Sequence, residues 1–331
     1  MEYAAKVLIL SAGMLAASAA IAQRERLPAE CRQEIAAICK AEGGGLRQCL
    51  RAALPKLSDH CRSLISERAA ARAPAPAGVR EYSYGTDPKQ NLDLVVPAGT
   101  PKAPILVFIH GGGWSIGDKR GSTGMKAAHF TGQGWAFASV NYRLVPKATV
   151  EQQAGDVAAS LAWLRAKAAR HGLDADRIVL MGHSAGAHLA ALVGSDPTYF
   201  ARAGVPLTAV DGIILLDGAG YDIAQQMARP GNPVAGMYDA AFGRDPKRQR
   251  ALSPTLHVTS PNAANWLILP VASRPDSTAQ SNGLAAGLRS NGAKATVVPV
   301  PGESHGSLNR GLGEAGDFAT GEIDRFLGAI R

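Results

Sequence analysis

Beyond residue 79 the chain alternates between short apolar runs and longer stretches with helical spacing. The runs are REYSYG, NLDLVVP, PILVFIHG, AFASVNY, RIVLMGH, VDGIILLD, WLILPVAS and ATVVPVP. Several of them are apolar at consecutive positions, as expected for strands buried on both faces. Between them, residues 149–170, 184–193, 277–290 and 312–328 read as helices. Short apolar strands alternating with helices predict an α/β fold, a mostly parallel sheet of about eight strands with helices on both faces.

The first 78 residues follow a different pattern. Residues 29–41, AECRQEIAAICKA, carry apolar or cysteine side chains at 31, 35, 38 and 39, a helical stripe. EGGG interrupts it, and helical spacing resumes on Leu46, Cys49, Leu50, Leu54, Leu57, Cys61 and Leu64. Two antiparallel helices joined at Gly43 to Gly45 bring Cys39 near Cys49 and Cys31 near Cys61, which favours the nested pairs Cys31–Cys61 and Cys39–Cys49. A module this small has little core of its own, and staples remedy that. Zinc is the competing reading of four cysteines, but no close C-x-x-C pair is present. The spacing resembles the cysteine-rich repeat of exported proteins; the likeness covers residues 30–65 and implies no chemistry. ARAPAPAG, residues 71–78, reads as a semi-rigid proline-alanine linker.

The amino terminus, MEYAAKVLILSAGMLAASAAIAQ, places Lys6 before an apolar stretch from Val7 to Ala20, followed by the small-x-small form Ala20-Ile21-Ala22. That pattern predicts a signal peptide over residues 1–22, cleaved after Ala22, and a secreted or periplasmic product. An uncleaved anchor is the alternative, although the stretch is short for a bilayer span. Residues 23–70 would then form the cysteine-rich helical module, and residues 79–331 the α/β domain. The even cysteine count agrees with an oxidising compartment.

Of the 331 residues, 46% are hydrophobic, enough for one large core or a large and a small one. The formal charge of +8 raises the question of nucleic acid. No run of five or six like charges and no interleaving of basic and aromatic residues supports such a partner.

The chemistry concentrates in two glycine-bearing strings. In VLMGHSAGAHLAAL, residues 179–192, a strand runs into a helix with Ser184 at the corner. Gly182 and Gly186 fit the G-x-S-x-G requirement, because side chains there would collide with the adjoining strand and helix. The turn pushes the hydroxyl outward and aims the Ala185 N–H, at the helix start, toward the same spot. In FIHGGGWSIGD, residues 108–118, a strand ends in three glycines that let backbone approach a substrate and free N–H groups to point inward. Taken alone, this string is also an ordinary glycine-rich turn.

On HGGGW and GHSAG, residues 80–331 resemble the carboxylesterase branch of the α/β-hydrolase superfamily. The nearest likeness is to exported esterases of the feruloyl and acetyl-xylan type, with arylformamidases less close. The resemblance implies Ser184 as nucleophile and the N–H groups of Gly112, Gly113 and Ala185 as oxyanion hole, with His110 bracing the loop. It also implies the order serine, acid, histidine. Among later histidines, His188 packs one turn into the helix, His257 precedes the seventh strand, and His305 follows the last strand on a glycine-bounded loop. His305 is therefore the expected base.

The acid is expected just after strand seven, where Asp276 in VASRPDSTAQ is the sole acidic residue between Asp245 and Glu303. Relatives often place it nearer the strand end, at the position of Ser273 here. Asp217, after strand six, and Glu303 are the alternatives, and Asp276 could instead cap the helix that follows. No metal or organic cofactor is needed. The small-residue segment 217–262 is expected to form a cap or acyl-pocket wall, with Trp114, Tyr221, Met237, Tyr238 and Phe242 as lining or as plain packing. The absence of a long apolar lid points to short-acyl or aryl and sugar-linked esters, small-molecule or carbohydrate, rather than triglycerides. An arylformamidase-type amide hydrolase and a catalytically silent binding module are the rival readings.

Overall fold

A computed structural model describes residues 29–42, 49, 53–58, 61–62 and 65, together with residues 78–330 other than 123, 230–233 and 260. The expected leader at 1–22, most of the expected second helix and residues 71–77 of the linker lie outside the described residues. The chain divides into two units, Met1–Ile65 and Ser66–Arg331. In the first, helix α1 spans Ala29–Glu42 and a 3₁₀ turn spans Leu54–Lys56. Disulfides join Cys31 to Cys61 and Cys39 to Cys49, with Cα separations of 5.3 and 5.5 Å. Among the described residues of this unit, Cys31, Ile35, Cys49, Ala53, Leu57 and Cys61 are buried.

The second unit contains all eight expected strands: β1 Arg80–Ser83, β2 Asn91–Val95, β3 Ala103–Ile109, β4 Ala136–Val140, β5 Leu173–His183, β6 Val210–Leu216, β7 Asn265–Leu269 and β8 Lys294–Val297. Their order across the sheet is β1-β2-β4-β3-β5-β6-β7-β8. β1 and β2 pair antiparallel, as do β2 and β4, and the six strands from β4 to β8 run parallel. The central strands are apolar on both faces, and their alternate side chains divide between two cores. Ile105, Val107, Ile109, Leu180 and Ile213 pack on one face, while Leu106, Phe108, Val179, Met181 and Ile214 pack on the other. The first core is completed by α3 (Val150–His171) and α4 (Ala185–Ser195), and the second by α2 (Gly124–Gly132) and α11 (Phe318–Ala329).

Helix ends follow local chemistry. α3 starts at a capping box, in which the Thr149 side chain accepts the Gln152 N–H and Gln152 returns a bond to the Thr149 backbone. It stops at Gly172, whose φ of 67° is left-handed. The helix expected over 312–328 starts late: α11 begins only at Phe318, and a separate short helix, α10, spans His305–Gly311 before it. Gly313 and Gly316, at φ 91° and 80°, lie between the two, and Asp317 caps α11 by accepting the Thr320 N–H. Between β6 and β7 the expected insertion is helical: α6 (Ile223–Met227), α7 (Ala235–Phe242) and α8 (Pro246–Ala251). α5 (Thr198–Ala203) follows α4, and α9 (Pro275–Ser290) joins β7 to β8. Because β3 and β5 to β8 are parallel, the loops after them all emerge at one edge of the sheet.

That edge tolerates little added volume. A Cβ on Gly186 would lie 2.1 Å from the Ile109 carbonyl oxygen, which is strand backbone and cannot yield. Gly186→Ala is expected to destabilise the unit by about 3 kcal/mol, the upper range for overpacking, read as a lowered urea midpoint. Gly283→Ala, at a helical glycine with open space around it, is the contrasting control and should be neutral or stabilising.

Candidate active site

Ser184 occupies the corner between β5 and α4 with φ 56° and ψ −118°, a conformation that side chains rarely adopt. Several contacts hold it there. A Cβ on Gly182 would meet the Gly186 carbonyl at 2.2 Å, so strand and helix pass as closely as backbone permits. The Ser184 N–H donates to the Leu216 carbonyl of β6 at 3.0 Å, and its own carbonyl accepts the His188 N–H at 3.1 Å. Ala185 is the first residue of α4, so its N–H has no intrahelical acceptor and lies at the positive end of the helix.

His305 opens α10, placed by Ser304, which caps the helix and exchanges hydrogen bonds with Ser307. The ring bridges two groups from neighbouring strands. Its Nε2 is 3.0 Å from Ser184 Oγ, and its Nδ1 is 2.6 Å from Asp217 Oδ2. Asp217 stands at the end of β6, beside β5, in a left-handed conformation of φ 42°. Its N–H donates to the Leu269 carbonyl at 2.9 Å, and its Oδ1 accepts the Val271 N–H at 3.0 Å. The carboxylate is therefore gripped from β7 while it faces the imidazole. Burial raises the Asp217 carboxyl, but the hydrogen bond and charge of His305, the charge of Arg274 and the Val271 N–H outweigh it. The net result is a carboxyl held well below the usual carboxylate range.

The structure thus brings Ser184 and His305 together, with Asp217 rather than the expected Asp276 against the imidazole. Asp276 is not at the imidazole. It lies in the first turn of α9, where its Oδ2 pairs with Arg229 Nη1 at 2.7 Å and Arg274 Nη2 at 3.4 Å. The physical reason is strand geometry. β6 is the immediate neighbour of β5, so a residue at its end reaches the serine corner directly. β7 is one strand further away, and the chain after it turns into α9 before reaching residue 276. Asp217 keeps the order serine, acid, histidine, and was legible only as an alternative.

The remaining histidines have structural partners. His188 accepts from Trp114 Nε1 at 3.3 Å on Nδ1, and its Nε2 donates to the Leu252 carbonyl at 2.8 Å. His257 Nε2 donates to the Ala251 carbonyl at 2.9 Å. His110 stacks on Tyr142 and contacts the Gly111 carbonyl through Nδ1, and burial lowers it to about 4. Sequence reasoning overlooked His183, the residue just before the serine. It is fully buried, and its Nε2 donates to the His305 carbonyl at 2.8 Å. Burial first, and then the His305 charge, push it well below its ordinary value, so it braces α10 as a neutral ring. Its signal was position alone: a polar residue ending a buried strand.

The HGGGW loop passes directly over the corner. A Cβ on Gly111 would fall 3.1 Å from Ser184 Cβ. Gly112 and Gly113 adopt φ of 107° and 56°, and the Gly112 carbonyl accepts the N–H groups of Ser115 and Ile116, which curls the loop. A Cβ on Gly113 would meet Met237 Sδ at 2.2 Å, so this side chain of α7 lies against the loop. Of the other expected lining residues, Trp114, Tyr221, Tyr238 and Phe242 are buried. Trp114 meets Tyr238 and Phe242 edge-on at 5.2 and 4.7 Å, which makes them the support of the insertion rather than an open surface. Among the described residues, no group of three or more His, Cys, Asp or Glu is placed to hold a metal ion.

A sheet in this order, with a serine elbow after its fifth strand, defines the α/β-hydrolase class. The comparisons with known proteins agree. The BD-FAE family profile matches residues 92–203. Esterase LipC of Mycobacterium tuberculosis is 35% identical over 43% of this chain and 37% of its own length, and esterase LipQ of the same organism is 29% identical over 77% and 63%. The chain therefore spans less than two thirds of either relative. Among solved structures, esterase B from Lactobacillus rhamnosis superposes with a TM-score of 0.67 at 23% identity, covering 86% of this chain and 94% of that one. A truncated carbohydrate esterase from gut microbiota gives 0.64 at 23% identity over 78% and 99%. The chain has the α/β-hydrolase fold, and its residues 92–203 are similar to the BD-FAE family.

The two aspartates separate cleanly in an assay. Asp217→Asn is expected to lower kcat by about 10⁴-fold by losing the charge and the ring orientation, whereas Asp276→Asn should stay within about fivefold of wild type. Steady-state hydrolysis of p-nitrophenyl acetate reads both.

Proposed function

We propose that the protein is a serine carboxylesterase working through an acyl-enzyme, with Ser184 as nucleophile, His305 as general base and Asp217 as the residue that orients the ring. The observation that carries this reading is the continuous relay of 3.0 Å from Ser184 Oγ to His305 Nε2 and 2.6 Å from His305 Nδ1 to Asp217 Oδ2. His305 Nε2 takes the hydroxyl proton as Oγ bonds to the ester carbonyl carbon. The carbonyl oxygen, now negative, is met by the N–H groups of Gly112, Gly113 and Ala185. The tetrahedral adduct collapses, the bond to the alcohol oxygen breaks, and Nε2 returns its proton to the departing alcohol. A water molecule then gives a proton to Nε2, adds to the acyl carbon and releases the acid, which regenerates the serine.

The substrate class follows from the space above the serine. Met237 lies on Gly113, and the insertion behind it is locked by Trp114, Tyr238 and Phe242. That favours short acyl groups, on aryl or sugar-linked alcohols. The carbohydrate esterase among the structural neighbours supports the same direction. Export to a secreted or periplasmic location is supported by the two disulfides. No helix among the described residues is long and apolar enough to cross a membrane.

The purified chain should release p-nitrophenol faster from the acetate than from longer acyl esters, and Ser184→Ala should cost at least about 10⁴-fold in kcat. A fluorophosphonate probe should label wild type and not Ser184→Ala. Turnover of N-formylkynurenine above that of any ester would replace this reading with an amide hydrolase. No turnover together with no labelling would leave a silent scaffold.

A further inference from the structure

Arg274 lies where an esterase relay has no obvious need for a cation. It is the residue preceding α9, and about 30% of its side chain is exposed. Its Nη1 donates to Asp217 Oδ2, the same oxygen that receives His305 Nδ1, and lies 2.7 Å from that nitrogen. Its Nη2 reaches Asp276 Oδ2 at 3.4 Å, and Asp276 is held in turn by Arg229 at 2.7 Å. A chain of alternating charge, Arg229–Asp276–Arg274–Asp217, thus ends on the imidazole.

We infer that Arg274 is a positioning residue that fixes the Asp217 carboxylate against the His305 ring and shares its charge. The inference rests on the esterase reading above. An aspartate alone against an imidazole both orients it and stabilises its protonated form. The first effect serves catalysis at any pH, while the second removes the base as the solution becomes acidic. A guanidinium on the shared oxygen leaves orientation intact and strengthens it, because Oδ1 is already taken by the Val271 N–H and Oδ2 now has two donors. At the same time it divides the negative charge and sets a fixed positive charge beside the ring, which opposes the imidazolium.

Glu303, whose carboxylate accepts the Ser307 hydroxyl beside His305, and Arg310 of α10 are common to wild type and both variants, so the difference between their profiles reads Arg274. From β5, His183 is held neutral by burial, and from the insertion Tyr221 and Tyr238 are pushed up and stay neutral. Lys126 of α2, brought down to about 8 by burial, changes charge only on the alkaline side. Burial raises Asp276, but its two arginines bring it below its ordinary value, so it remains ionised. Asp217 itself, held low, stays charged across the working range. The acid limb of the activity therefore reads the balance between Arg274 and Asp217 at the ring.

The test is the pH profile of kcat/KM for p-nitrophenyl acetate, followed at the isosbestic wavelength, for wild type, Arg274→Met and Arg274→Lys. The methionine variant should shift the acid limb to higher pH by about one unit and also lower the plateau, because the hold on the Asp217 carboxylate is lost at every pH. At a pH one unit below the new midpoint it should therefore lose about tenfold relative to its own plateau. The lysine variant should restore most of the shift. Superimposable limbs for wild type and Arg274→Met would overturn the inference. So would a loss equal at every pH that tracks a lowered melting temperature and is not rescued by lysine, since that is a structural role only. If wild type itself turns over no ester, the esterase reading fails and this inference with it, whereas superimposable limbs in an active enzyme overturn the inference alone.

Discussion

The strained corner at Ser184 is the constraint on which the rest depends. A residue with φ of 56° between a buried strand and a buried helix is held only because nothing around it can relax. Gly182 and Gly186 let β5, α4 and the end of β3 approach to backbone contact, and Ser184 is further tied to β6 through the Leu216 carbonyl. That crowding serves two ends. It turns the hydroxyl out of the sheet edge, and it aims the first N–H of α4 toward the same space. Removing the crowding would let the serine fall back into an ordinary helix cap.

The relay around the corner is assembled from separate strands, each delivering one group at the same edge. β5 gives the serine, β6 gives Asp217, and the segment after β8 gives His305. β7 contributes no reacting group, yet its end donates the Val271 N–H and the loop beyond it supplies Arg274, both to Asp217. Electrostatics follow from burial. His110, His183 and His188 are driven neutral by desolvation, which leaves three of the imidazoles near the corner as fixed hydrogen-bonding struts. The buried carboxylate, by contrast, stays charged because it faces a ring, a guanidinium and a backbone N–H together. In this site opposite outcomes for buried groups come from their partners, not from their depth.

The insertion between β6 and β7 shows how a small-residue segment can still be rigid. Its glycines and alanines allow three short helices to pack closely, while Trp114, Tyr238 and Phe242 interlock beneath them. Met237 is turned toward Gly113 of the HGGGW loop.

Several features were determined by local sequence. The central strands were readable because each is a continuous apolar run buried on both faces. The elbow was readable because only glycines tolerate the contacts on either side of Ser184, and the cysteine pairs because a glycine-broken helical stripe admits few geometries. His305 was readable from its place after the last strand. The acid was not. Asp217 directly follows β6 and Asp276 lies in the first turn of the helix after β7, and linear order cannot measure which strand lies next to the serine. Nor could it show that α9 turns residue 276 toward Arg229, or that His183 and Arg274 converge on one imidazole. Those facts arise from strand adjacency and helix direction, which appear only when the sheet closes, because hydrogen-bond and charge partners here are set by distances across strands rather than along the chain.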